Sequence, residues 1–599
     1  MKILFVLKEE DPIDPMNVEL LSALAKREGH DTFLNILQHR DLDAELRSLR
    51  PDVVAYSVKT GEHKAFYAAN RTVREALGER VFTVMGGPHP TFNHKGILLQ
   101  GEEPPAGARL VERSGMDALC VGEGDDAWVE LLQALGAGGS VDRIANIVTR
   151  ANRKDGSEPV IRPRRSRLDD LPFLDRALVY DKTFLGRFPM RSFVSSRGCP
   201  HRCSYCFNHE WNDLYRAHGG LGKVHNRYSV DRLISEVRDW RRLEEERGYT
   251  RTQFIKFYDD VFVLSASPWL EEFAERFPKE VGLPFFCLVR CDTLAREGKD
   301  GRITLDEDVL GLLRKAGLKS ISMSIEAGNR FVRENILLRD MSEKQIRAAF
   351  ELAARHGLGT FANTILGIPA PVVPTRGESR FDEKLLKALR ETLLAFQMAE
   401  RRAVVRSSSA DAKERLDSLM NALVKRPTDE LREEGVRLLE GLGLRRDPLD
   451  YDIESVELNI ECGVHHAMFP RLDPYPGTAV TGYSVSIGAF DGDFEKLHSS
   501  YDTTSNFTCF TDAQKRVQDN LSFLGQVCTV WPWLWPLAKR RLIRLPLTWL
   551  YWLAFLVAKT YVVKRYVYPM RFDPRDLLRS AYRILLVEYK KFFRGGEHA

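Results

Sequence analysis

The sequence predicts an α/β protein in three parts: a Rossmann-like N-terminal domain, a partial (β/α) TIM-type barrel, and a mostly helical C-terminal region. Three observations predict it. Short apolar runs alternate with amphipathic helical patterns twice, over residues 1–145 and again over 191–370. A polar, aperiodic stretch, "RKDGSEPVIRPRRSRLDDLPFLDRA", separates the two series. The last hundred residues lose the alternation and become rich in Trp, Tyr, Leu and basic side chains.

In the first series, "KILFVL" reads as a strand and "NVELLSALAKREGH" as a helix ending at Gly29. "DVVAYSV" and "RVFTVMGG" are further strands, with "KAFYAANRTVREALG" as the helix between them. "DALCVGEGDDAWVELLQAL" reads as strand, glycine turn and helix. Continuous apolar strands with intervening helices form a mostly parallel sheet covered on both faces, and ligands of such sheets sit at the strands' carboxyl ends. Ser57, Gly86, Gly87, Gly122 and Gly124 fall there. Each glycine alone can be a plain turn. Together they suit a bulky ligand approached by backbone. No GxGxxG opens the first helix, so a dinucleotide fingerprint is absent.

Residues 146–190 read as a connector. The barrel series follows, with "TQFIKFYDDVFV", "PFFCLVRC", "LKSISMSIEAG" and "LGTFANTILGIP" as strands and helices such as "SVDRLISEVRDWRRLEEE" between them. Charged helical residues 371–450 read as an insertion in a barrel running over 191–480. "SVELNIECGVHHAMFPRLDPYPGT" reads as resumed strand. Residues 481–599 form the helical, aromatic and basic C-terminal part. Within 530–572 the longest uncharged run, Leu545 to Ala558, is 14 residues. That is short of the roughly 18–20 needed to span a bilayer. An interfacial helix at 532–567 touching lipid is one reading; a helix packed over the barrel mouth or against the first domain is the other.

The chain has 599 residues, too many for one core. Its 88 Lys and Arg nearly balance 84 Asp and Glu, so charge gives no case for nucleic acid as a partner. "MKILFVLKEEDPIDP" reads as a buried strand and not a signal peptide, and six of nine cysteines are scattered, so a reducing, cytoplasmic setting is expected.

Three cysteines are not scattered. Cys199, Cys203 and Cys206 lie within "RGCPHRCSYCFN" in a C-x3-C-x2-C pattern. A structural zinc site needs four ligands, and His201 or His209 are near enough in sequence to keep zinc open. A redox dithiol leaves the third cysteine unexplained. A [4Fe–4S] cluster on three thiolates leaves one iron open to a substrate or cofactor.

At this point the sequence resembles a known family. "CPHRCSYCFN" after a strand looks like the cluster loop of radical S-adenosylmethionine (SAM) enzymes, and "FYDDVFV", "SIEAGN", "ENILLRDMSEKQI" and "NTILGIP" resemble their barrel segments. The resemblance implies a [4Fe–4S] cluster on the three cysteines and a 5′-deoxyadenosyl radical made from SAM. It implies SAM contacts from Phe207, Asp259, Asp260, Glu326 and Arg339. An ordinary interior salt bridge is the other reading of Glu326 and Arg339. "APVVPTRGE" departs from the family's usual "GET" after the proline. "MNVELLSALAKREGH", "PDVVAYSV", "VMGGPHPTF" and "DALCVGEGDDAWVELL" resemble the cobalamin-binding domain placed ahead of the barrel in B12-binding members of that family. Ser57, Gly86, Gly87, Gly122 and Glu123 are then the corrin and nucleotide contacts. "KTGEH" at 59–63 falls near the corrin's lower face, with His63 or Lys59 approaching cobalt or standing as surface turn residues. No DxHxxG is present.

The branch concerned holds C-methyltransferases and anaerobic magnesium-protoporphyrin ester cyclases. It implies cobalamin cycling as cob(II)alamin and methylcobalamin, and an electron donor such as flavodoxin or ferredoxin. The expected reaction is methylation of an unactivated carbon of a large apolar molecule (a lipid, polyprenoid or tetrapyrrole). Radical oxidation, cyclisation or rearrangement without methyl transfer is the alternative, and a non-catalytic iron–sulfur protein a third. Expected localisation is cytoplasmic, with peripheral membrane contact through 532–567.

Overall fold

The computed structural model describes residues 1–97, 114–149, 151–152, 158–402, 407–497 and 504–571. Parts of the expected first domain, connector, insertion and tail lie outside these residues.

The first sheet has six strands: β1 Lys2–Leu7, β2 Asp31–Ile36, β3 Val53–Ser57, β4 Phe82–Gly86, β5 Ala118–Cys120 and β6 Ile147–Thr149. Their order is β2-β1-β3-β4-β5-β6, parallel except for the antiparallel β5–β6 pair. β1 and β3 are buried through their middles, which is why both read as unbroken apolar runs. Helices α1 Met16–Arg27, α2 Leu42–Leu49, α3 His63–Leu77 and α4 Asp125–Gly136 connect and cover them. The chain reverses its direction of travel across the sheet between β1 and β3. Such a switch opens a crevice at the strands' carboxyl ends. β6 lies within the stretch read as connector; at three residues it is too short to carry a period.

The second sheet is the barrel wall. Strands β7 Met190–Phe193, β8 Phe254–Phe257, β9 Phe285–Leu288, β10 Leu318–Ser322, β11 Gly359–Asn363 and β12 His466–Met468 pair in sequential, all-parallel order. Crossover helices α6 Val230–Arg247, α7 Pro268–Glu280, α8 Glu307–Ala316 and α9 Glu343–Arg355 lie between them, and α5 Phe207–Ala217 follows the cysteine loop. The six strands stop short of closure, so β7 and β12 are edges. This is the partial (β/α) barrel expected. Helices α10 Phe381–Arg401, α11 Ser407–Lys425, α12 Asp429–Gly441 and α13 Pro448–Glu461 stand between β11 and β12. The expectation of strand at "SVELNIE" is corrected: Ser455–Glu461 is the last half of α13. Tyr451, Ile453, Val456 and Leu458 are all buried, and burial around most of the helix blurs its period.

The tail closes the barrel's exposed parts. α14 Asp512–Val530 runs beside β12, where Gln526 Oε1 accepts the outward-facing Ala467 N–H at 2.5 Å. A covered edge cannot template pairing with another chain. α15 Thr548–Val562 packs on α14 through Tyr551, Trp552 and Phe555. The chain then enters the barrel's N-terminal floor. Ser320 Oγ donates to Val567 O, and Tyr568 packs on Phe254 and Phe286. The described residues of 512–571 therefore cover the β12 edge and plug the barrel's floor.

Candidate functional site

The cysteine loop leaves β7 and ends at α5. Gly198 opens it with φ +87°, and a Cβ there would sit 2.1 Å from Val224 O, so glycine is required twice over. Its N–H donates to Asp260 Oδ2 at 3.0 Å. Cys206 is the residue before the first turn of α5, and Asn212 on that helix donates to Cys199 O at 2.8 Å. The three thiols are thus held by strand, turn and helix. Burial pushes Cys199 up to about 11 and raises Cys206 further.

Two guanidiniums approach the buried Cys203. Arg290 Nη1 lies 3.8 Å from its sulfur and Arg339 Nη1 lies 3.9 Å away. Arg339 also donates to Tyr205 OH at 3.2 Å and Ser324 O at 2.8 Å, and faces Glu326 at 3.9 Å. Glu326 has φ +67°, a conformation rare outside glycine, and burial raises its carboxyl pKa. Glu326, Arg339 and the cluster loop, distant in sequence, therefore meet at the barrel's carboxyl end.

The donor set fits a cluster better than a single ion. Zinc with Zn–S near 2.3 Å brings its sulfurs to about 3.8 Å of one another. Among the described residues, the one group of three ligand atoms all within 4.8 Å of each other is His201, Asp292 and Asp340, and the three cysteines form no such group. Arg290 already donates to both carboxylates, at 2.8 Å each. His201 is drawn down to about 4 by burial and by Arg290, and His209 pairs with Asp213 at 3.2 Å. Neither histidine is grouped with the cysteines. Three spread, soft donors beside two cations suit an anionic [4Fe–4S] centre.

Between the domains lies a cavity of about 530 Å³. From the first domain it is lined by Ser57, Gly86, Gly87, Gly122, Glu123 and Gly124, at the ends of β3, β4 and β5. From the barrel it is lined by Gly198, Phe207, Asn208, Tyr258 and Asp260. Glycines on one wall let a flat, bulky ring approach the backbone, which fits a corrin. Phe207 packs toward Phe92, 6.3 Å between centroids, and Phe92 meets Trp211 edge-on.

Not every expected residue reaches the cavity. Asp259 is buried beneath it, accepting from Ser195 N–H at 3.0 Å and Ser195 Oγ at 2.8 Å. Burial pushes it up to about 6, and it anchors the end of β7. His63, expected near the corrin's lower face, is not among the residues that line the cavity. It is fully buried, its Nδ1 accepts from Gly61 N–H at 3.1 Å, and Nε2 faces Glu495 at 3.0 Å. Both ring nitrogens are taken, and the ring stacks on His89 at 4.4 Å. Lys59 is a surface residue near Glu62.

Several residues were missed. Arg164, in the connector, donates to Glu123 at 2.7 Å and to Asn212 at 3.1 Å, and Arg197 pairs with Asp125 and Glu123. These pairs tie the glycine turn after β5 to the cysteine loop. The arginine-rich "IRPRRSR" was the available signal. Lys256, pulled down to about 8 by burial, donates to Tyr258 OH at 2.7 Å on the cavity wall.

Residues 193–371 match the radical SAM superfamily, and residues 4–132 match the B12 binding domain. The chain is a B12-binding radical SAM protein. The cofactors of this family are a [4Fe–4S] cluster, SAM and cobalamin. Among its relatives is an uncharacterized methyltransferase of Pyrococcus horikoshii, 25% identical over 62% of this chain and 74% of that protein. Hopanoid C-3 methylase of Methylococcus capsulatus is 28% identical over 53% of this chain and 54% of its own. Anaerobic magnesium-protoporphyrin IX monomethyl ester cyclase of Rubrivivax gelatinosus is 24% identical over 58% and 57%. The chain thus spans little more than half of the last two. The solved structure of the cobalamin-dependent SAM radical enzyme OxsB with aqua-cobalamin bound covers 98% of this chain and 76% of its own, at 14% identity and a TM-score of 0.54. That likeness is one of fold. Among the described residues, no helix is long and apolar enough to cross a membrane.

Proposed function

We propose that this B12-binding radical SAM protein methylates an unactivated carbon of a large apolar substrate held between its two domains. The observation that carries the reading is a cavity lined both by the first domain's glycine turns and by Gly198 and Phe207, at the two ends of the cluster loop. When bound, the cluster and SAM supply a hydrogen-abstracting radical, and the corrinoid supplies a transferable methyl group.

The chain's own residues do the rest. Cys199, Cys203 and Cys206 hold the cluster, and Arg290 and Arg339 place positive charge against it. Glu326, Arg339, Phe207 and Asp260 are the SAM contacts in this reading, with Asp259 fixing the strand end that presents the loop. Ser57, Gly86, Gly87, Gly122 and Glu123 form the corrin wall. Trp128, Phe207, Trp211 and Tyr228 line the cavity and exclude water, which protects a radical from stray donors. Lys256 can hold or return a proton at Tyr258 OH. An electron donor of the flavodoxin or ferredoxin class would reduce the cluster.

Relatives named as methyltransferases or methylases favour methyl transfer; the cyclase relatives favour oxidation or ring closure as the second reading. The hopanoid and porphyrin names support a bulky, largely apolar substrate. Anaerobic turnover with candidate substrates tests the choice. Methylated product with both 5′-deoxyadenosine and S-adenosylhomocysteine is expected. Deoxyadenosine without S-adenosylhomocysteine favours the cyclase-like reading, and neither product from intact cluster and authentic substrate overturns both.

A further inference from the structure

The structure leaves one large apolar face without a protein partner among the described residues. On α15, Tyr551, Trp552, Phe555, Ala558 and Val562 face inward, and these are buried. Trp549, Leu553, Val557 and Tyr561, spaced by four, form the opposite face together with Leu550, and are 43–64% exposed. Trp533 and Leu537, on the turns just before, are 75% and 50% exposed. A soluble helix ordinarily turns polar side chains outward. This one is apolar on both sides.

The segment that carries the face has charge of one sign, although acids reach it from α14, where Asp512 and Asp519 lie beside Trp549, and from α13, where Glu457 pairs with Lys539. Residues 520–572 contain eight Lys or Arg and no Asp or Glu, in a chain whose net charge is only +4. Arg540, Arg541, Lys564 and Arg565 are exposed around the two ends of α15. Exposed Trp and Tyr interleaved with basic residues match the headgroup region of an anionic bilayer, where rings lie at the interface and cations meet phosphate. Residues 573–599 carry six Lys or Arg against four Asp or Glu, the same net sign as the face.

We propose that the outward face of α15, with Trp533 and Leu537 and the basic residues around it, seats the protein on an anionic lipid surface without crossing it. At 15 residues α15 is about 22 Å long, short of the ~30 Å hydrocarbon core, so it lies in the interface. Burying the inner face on α14 fixes the outer face rigidly, so binding requires no refolding. The proposal is independent of the reaction: it predicts where the molecule sits, whatever chemistry the cavity performs.

The test is flotation of the full-length protein with vesicles of phosphatidylcholine alone or mixed with phosphatidylglycerol, at low and high salt. Partition into the mixed vesicles, weakened by salt and much smaller on phosphatidylcholine alone, is expected. Replacing Arg540, Arg541 and Lys564 by Gln should reduce that partition by roughly 100-fold, at ~1 kcal/mol per charge near the surface. Trp549→Ser combined with Leu553→Ser and Val557→Ser should abolish the salt-resistant part. Iron content and melting temperature of both variants report folding apart from binding. Equal partition of wild type and the charge variant overturns the proposal. So does absence of partition by well-folded wild type, or a dimer in light scattering that the apolar variant converts to monomer, which assigns the face to a second copy.

Discussion

Gly86→Ala separates the cavity's role from the fold's needs. Gly86 ends β4 and lines the cavity with ordinary backbone angles. A Cβ built there meets only Cys120 Cβ, at 3.6 Å, an ordinary contact. Alanine on such a backbone is neutral or stabilises by about 0.4–1 kcal/mol through the unfolded chain. A corrin packed against the Gly86 backbone would instead meet the new methyl. Overpacking of that kind costs about 1–3 kcal/mol. At 1.4 kcal/mol per tenfold, corrinoid binding should weaken roughly 5- to 150-fold while the melting temperature holds or rises. Gly87→Ala should behave differently. Gly87 has φ +105°, and its Cβ would lie 2.7 Å from Val58 O and 2.9 Å from Val58 N. There the backbone itself must move, so melting temperature and corrinoid binding should fall together. The assay is absorbance titration of the anaerobically reconstituted protein with hydroxocobalamin, beside thermal melts. Wild-type corrinoid affinity in Gly86→Ala would refute the placement of the corrin on this wall.

Three other outcomes follow from the site. Cys203→Ala should lose the cluster's iron and sulfide, whereas His201→Ala and His209→Ala should keep them; iron loss in either histidine variant would contradict the three-thiolate reading. Arg290→Met should lower the cluster's reduction potential, because the reduced cluster loses a cation 3.8 Å from Cys203 sulfur, while Arg290→Lys should restore most of it. An unchanged potential in an EPR-monitored titration would count against that. Asp452 is pushed up to about 7 by burial, with Gly367 N–H donating to it at 2.8 Å. A carboxyl raised in the folded state binds more protons than in the unfolded one, so its stabilisation is full below about pH 4 and lost as pH rises toward 7. That loss is on the order of 3–4 kcal/mol. Asp452→Asn should remove this slope, since Gln518 Oε1 has no partner and its amide can turn to accept from the new side chain. Identical pH–stability curves would contradict it.

The fold was legible because its strands are buried on both faces and its helices are amphipathic: "KILFVL" and "DVVAYS" became β1 and β3 with little adjustment. β2 was passed over because "DTFLNI" follows α1 with only a short turn and is half-polar at its start. Within the site, the cysteines stand in one loop, so local spacing announced them. Glu326 and Arg339 needed the family resemblance, since nothing local marks a strand-end glutamate as facing a thiolate. Arg290 and Arg164 could not be read at all: their positions depend on where β9 ends and how the connector folds back, and arginine is common on any surface. His63 looked available in sequence and proved committed to Gly61 and Glu495, a contact spanning 432 residues.

The central claim is that one cavity brings the corrinoid and the cluster together. EPR of the full-length protein tests it most directly, with Co(II) corrinoid and reduced cluster loaded separately and then jointly. The account predicts that joint loading broadens both signals and speeds their relaxation, through coupling between two neighbouring spins. A joint spectrum equal to the sum of the two separate ones would contradict it.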